Sequence, residues 1–252
     1  MMAGGTHSYM DGETALTAEV WHPAGPPRAA VLVLPTIMNA TRAVEEKAAR
    51  LAEAGYLAIL CDLYGAQPED LDAAKRLATG LRTDPETYRR RLRAAEQFGR
   101  SLAPDLPMAA IGFCMGGQAA LELARDGAEV LLCVSFHGLL DTDLPAQPGA
   151  IQARILVCHG DADDLVPRPA VLAFWEEMDR AGSDWHFHAY SGVPHGFTNP
   201  YPSPADGRID YNASADRQSW QAMLSMLDEV LIPATGEPAS PSVGARDNPP
   251  SA

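Results

Sequence analysis

The sequence predicts an α/β protein: a mostly parallel sheet with helices on both faces and a β-hairpin at the N-terminus. Three observations carry this. Six short apolar runs alternate with longer amphipathic segments along most of the 252 residues. The runs are near-continuously apolar, as strands buried on both faces must be. Ahead of them, a pair of alternating segments flanks Asp11-Gly12, a hairpin turn signal.

In chain order, the hairpin is expected from 7–10 and 15–21, closed off by Pro23 and Gly25-Pro26-Pro27. Buried strands are read at 29–34, 57–60, 108–112, 130–136, 155–158 and 185–190. Helical periodicity marks 43–54, 85–102, 116–125, 169–181 and 214–230. Residues 61–84, punctuated by Pro68 and Gly80, read as irregular around a weak helical pattern and as part of a pocket wall. Residues 196–213 hold too many turn formers for regular structure. The stretch 233–252 is rich in Pro, Ala, Ser and Gly and cannot bury enough apolar surface to order itself. The expected organisation is one domain over 1–232 and a disordered tail over 233–252.

Composition excludes some partners. The formal net charge of −14 repels phosphate backbones and anionic membranes, so neither nucleic acid nor membrane is an expected partner. No apolar run reaches the ~20 residues of a bilayer span, and the first residues lack a basic and an apolar leader region. Of the four cysteines, Cys61, Cys133 and Cys158 fall in apolar strands, which suits reduced thiols and a cytoplasmic protein. The expected partner is a small-molecule substrate, with the chain a monomer or a dimer.

Chemistry concentrates at Gly112-Phe113-Cys114-Met115-Gly116-Gly117, between an apolar strand and a helical run. This is a nucleophile elbow with cysteine in the serine position. Its glycines let a sharp strand-to-helix turn form, which lifts the sulfur out of the sheet. It also sets the sulfur at a helix N-terminus, where free N–H groups favour thiolate. Parallel sheets place their ligands at the carboxyl ends of strands. Two polar groups lie just beyond such ends: one among Asp161, Asp163 and Asp164, with the Gly-x-x-Asp spacing favouring Asp163, and His195 in Pro194-His195-Gly196-Phe197. The order nucleophile, acid, histidine is that of the elbow fold. His186 and His188 share one strand face but have no third ligand at sensible spacing, so no metal is expected. The run Arg89-Arg90-Arg91 reads as a solvated helix face.

These motifs, with Cys61-Asp62-Leu63-Tyr64-Gly65 and the Gly160–Pro167 loop, give the chain a resemblance to the dienelactone hydrolase family of the α/β-hydrolase fold. The resemblance runs from about residue 29 to the last helix. It implies a cofactor-free hydrolase cleaving a small ester or lactone through a cysteine thioester. By position, Cys114 is the nucleophile, His195 the base and Asp163 its partner, with the backbone N–H groups of Ile37 and Met115 as oxyanion hole. A general carboxylesterase and a non-catalytic binder on the same scaffold are the competing readings.

The chain departs from the family's lactonases at three places. A glutamate follows the first parallel strand there; here the residue is Thr36. Two arginines bind the substrate carboxylate there; here Gly65-Ala66 and Asn199 occupy those positions. An unpaired carboxylate costs several kcal/mol to desolvate, so a neutral ester or lactone is the expected substrate, unless Arg208 reaches the pocket from its loop. Thr36, Tyr64, His137, Phe197 and Asn199 are the candidate pocket residues.

Overall fold

The computed structural model describes residues 4–201 and 210–231. The expectations for 232–252 and for Arg208 therefore fall outside the described residues. Strands β1 (Gly5–Asp11) and β2 (Thr14–Trp21) form the hairpin. Then follow β3 (Ala30–Leu34), α1 (Arg42–Glu53), β4 (Leu57–Cys61), α2 (Leu71–Arg82), α3 (Pro85–Leu102), β5 (Met108–Phe113) and α4 (Met115–Arg125). The chain continues through β6 (Leu132–Phe136), β7 (Arg154–Gly160), α5 (Arg168–Ala181), β8 (Trp185–Tyr190) and α6 (Ala213–Leu231). One eight-stranded sheet runs β1-β2-β4-β3-β5-β6-β7-β8. Strands β3 to β8 are mutually parallel, and β2 pairs antiparallel with β4.

Side chains alternate across each strand and fill two cores. Ala30, Leu32 and Leu34 of β3 face one core, which is covered by α2, α3, α4 and α5. Val31 and Val33 face the other, covered by α1 and α6 through Val44, Leu51, Trp220 and Met223. Cys61, Cys133 and Cys158 are buried in these layers and unpaired. Burial pushes the thiols of Cys61 and Cys158 up to about 12, and that of Cys133 higher still. Among the described residues, no helix is long and apolar enough to cross a membrane.

Several expectations need correction. The hairpin loop is Gly12-Glu13, one residue later than expected, because Asp11 pairs with Thr14 and Gly12 takes the positive φ that a first central hairpin position demands. Within 61–84, a full helix α2 forms, its N-terminus capped by the Asp70 carboxylate accepting the Ala73 N–H at 2.7 Å. β8 is an edge strand, half-exposed rather than buried, since only β7 pairs with it. The arginine run is not a solvated face. Arg89 and Arg91 are buried, bonded to Glu122 at 2.9 Å and to Asp11 at 3.0 Å, because α3 is sandwiched between α4 and the hairpin.

Candidate active site

The end of β5 sets the site. Cys114 has φ 56° and ψ −117°, outside the favourable regions for a residue with a side chain. The turn is over-determined by its neighbours. A Cβ on Gly112 would lie 1.8 Å from the Gly116 carbonyl oxygen, and one on Gly116 would lie 2.0 Å from that of Leu34. Only glycine at both positions allows β3, β5 and α4 to approach this closely.

Three loops then converge at the carboxyl edge. The Cys114 Sγ sits 3.1 Å from Nε2 of His195, which follows β8. The Nδ1 of His195 lies 2.7 Å from Oδ2 of Asp163, which follows β7. His195 and Asp163 are only 2% and 3% exposed, so this hydrogen bond is shielded from water, while Cys114 keeps partial exposure. Asp163 is also pinned by accepting the Leu165 N–H at 2.9 Å. Of the neighbouring acids, Asp161 is taken up by Arg168 at 2.8 Å.

Charge follows geometry. Burial alone would raise the Cys114 thiol, but the His195 charge and hydrogen bond, with the N–H groups of Ile37 and Met115 directed at the sulfur, outweigh it and lower the pKa. Burial alone would lower His195; the Cys114 charge and the bond to Asp163 reverse that and raise it to about 10. Both shifts act in the same sense, favouring a thiolate beside an imidazolium over the neutral thiol and ring.

The loop after β3 is held by Asn39, which the motif reading passed over, together with Asp62 and Tyr64 of the Cys61–Gly65 motif. Asn39, at φ 59°, donates to the Asp62 carboxylate at 2.8 Å, which in turn accepts the Tyr64 N–H at 2.7 Å. The Tyr64 hydroxyl donates to the Ile37 carbonyl at 3.1 Å and also contacts the Met115 sulfur, so it braces both residues whose N–H groups face Cys114. The asparagine itself, a residue type that tolerates the left-handed conformation, was the available signal for this loop. Thr198 was also passed over; its hydroxyl meets His137 Nε2 at 2.9 Å.

The pocket candidates divide. Thr36 and Asn199 are half-buried, and each folds back on its own loop: Thr36 Oγ1 accepts the Met38 N–H and Asn199 Oδ1 the Tyr201 N–H. Phe197 is fully buried, edge-on to His137 at 5.2 Å, and His137 is buried as well. Both pack against the ring of His195 or its loop and are closed off from solvent. Tyr64 faces a cavity of about 660 Å³ that Gln67, Arg76 and Leu77 also line; Cys114, Asp163 and His195 are not part of that lining.

With this geometry in view, comparison decides the family. The model of the dienelactone hydrolase family matches residues 16–231. The chain belongs to the dienelactone hydrolase family. It is 29% identical over 213 residues to a Bradyrhizobium protein named "Probable 2-oxo-3-(5-oxofuran-2-ylidene)propanoate lactonase", covering 79% of this chain and 82% of that one. Among solved structures, one named m3DLH is 35% identical with a TM-score of 0.83, covering 90% of this chain and 97% of the other. A dienelactone hydrolase-like promiscuous phosphotriesterase from metagenomic libraries is 33% identical with a TM-score of 0.81, covering 91% and 99%. This dienelactone hydrolase family member is thus a hydrolase of small esters or lactones on the α/β-hydrolase fold.

Proposed function

We propose that the chain hydrolyses a neutral ester or lactone by acyl transfer through Cys114, with His195 as acid and base and Asp163 as its partner. The observation that carries this reading is the continuous line Cys114 Sγ, His195, Asp163, at 3.1 and 2.7 Å. The thiolate attacks the carbonyl carbon, and the oxyanion takes over the N–H groups of Ile37 and Met115 that face the resting sulfur. One such donor is worth on the order of 3 kcal/mol in other acyl-transfer enzymes. The C–O bond then breaks as His195 Nε2–H protonates the leaving oxygen, giving a thioester. His195 next deprotonates water, which attacks the thioester carbon and expels the thiolate. Asp163 stabilises the imidazolium and fixes its orientation throughout.

Neutrality of the substrate is supported by the uncharged Thr36 and by Asn199, whose amide oxygen is engaged by its own loop. An anionic lactone is the second reading, favoured by the propanoate in the Bradyrhizobium relative's name. The test compares an activated aryl ester and a panel of neutral and carboxylate-bearing lactones on wild type and Cys114→Ala. Turnover by wild type alone, with neutral lactones preferred, is expected. Equal rates for wild type and variant would remove the cysteine mechanism, and a preference for the anionic lactones would establish the second reading.

A further inference from the structure

Besides the loops after β3, β5, β7 and β8, the loop after β6 reaches the site and brings His137. Its ring touches two of the others. Nδ1 accepts the Cys114 backbone N–H at 3.1 Å, and Nε2 faces the Thr198 hydroxyl at 2.9 Å. A ring nitrogen that accepts an N–H carries no proton, so the neutral ring has its hydrogen on Nε2 and donates it to Thr198. Burial, reinforced by the His195 charge, keeps His137 neutral, its pKa well below the ordinary histidine range.

Filling space does not account for this arrangement. The Cys114 N–H already has the Phe136 carbonyl as acceptor at 3.0 Å, so the imidazole is not needed to satisfy a buried donor. His137 moreover holds φ 41°, an unfavourable conformation for a side-chain-bearing residue, fixed by its N–H bonding the Cys158 carbonyl at 2.8 Å. Its ring stands edge-on to both His195 and Phe197, each at 5.2 Å. Thr198 lies three residues beyond His195 on the same loop.

We propose that His137 is a positioning residue, a neutral strut tying the turn that carries Cys114 to the loop that carries His195. The strut sets the separation of Sγ and Nε2 and so the stability of the thiolate–imidazolium pair. The proposal rests on the Cys114–His195 reading, and the experiment separates the two. His137→Phe removes both contacts at similar volume, and Thr198→Val removes one at nearly constant shape. The pH profile of Cys114 alkylation by iodoacetamide is measured beside kcat and KM on 4-nitrophenyl acetate, with folding checked by circular dichroism.

Each variant should lower kcat on the order of tenfold with KM little changed, the scale of one lost hydrogen bond. The alkylation midpoint should move to higher pH. The double variant should be no worse than His137→Phe, because both remove one and the same link. A purely structural histidine would lower stability and leave the midpoint of the folded protein in place; that result, or losses that multiply in the double variant, overturns the proposal. Should His137→Phe fail to fold, Thr198→Val alone decides it by the same midpoint. Wild-type turnover by Cys114→Ala would instead defeat the parent reading, while the alkylation profile of Cys114 would still report on the strut.

Discussion

Asp163→Asn isolates the electrostatic core of the site. The carboxylate meets His195 Nδ1 at 2.7 Å with both groups almost fully buried, so the hydrogen bond is charge-assisted and unscreened. Such bonds contribute about 1.5–3 kcal/mol, and 1.36 kcal/mol corresponds to about one pH unit. Losing this one destabilises the imidazolium, so the His195 pKa falls from about 10, and the thiolate that depends on it loses its counter-charge. The sign follows: the Cys114 pKa rises, and thiolate formation moves to higher pH by about 1–2 units. The assay is the pH dependence of the alkylation rate with iodoacetamide, read in wild type and variant at matched folded fraction. Wild type should react rapidly well below the ~8.5 of an ordinary thiol. A variant midpoint within about 0.3 units of wild type would refute the reasoning, since the carboxylate would then contribute nothing to the ion pair.

Two further perturbations test the frame. Gly116→Ala places a Cβ 2.0 Å from the Leu34 carbonyl oxygen and 2.3 Å from that of Pro35; with backbone on both sides, a loss of about 3 kcal/mol or more in urea unfolding is expected, and a loss below about 1 kcal/mol would show that β3 and α4 can separate cheaply. Arg125→Ala strips the shared partner from Glu122 and Glu177, bonded at 2.9 and 2.7 Å with all three side chains buried; this should cost about 3–5 kcal/mol, measured the same way.

What was legible in the sequence followed from steric and periodic constraints that act locally. The elbow could be read because no side chain fits at Gly112 or Gly116, and the parallel strands because burial on both faces leaves few polar choices. Long-range pairing was not legible. Nothing in Arg89-Arg90-Arg91 announces that Asp11 and Glu122, distant in the chain, will meet all three guanidinium groups. The run at β8 was read with the buried strands, yet β8 lies at the sheet edge, where only β7 covers one side of it. The contact of His137 with Thr198 spans 61 residues and belongs to no motif, so it could be found only once the loops after β6 and β8 lay side by side.

The deep placement of Cys61, Cys133 and Cys158 has a practical side. Their protons are held so tightly that at neutral pH a thiol-directed reagent meets a protein of four thiols as if it carried a single one. A one-equivalent titration with a chromogenic disulfide, needing no cysteine-free background, would count reactive centres directly in the native chain.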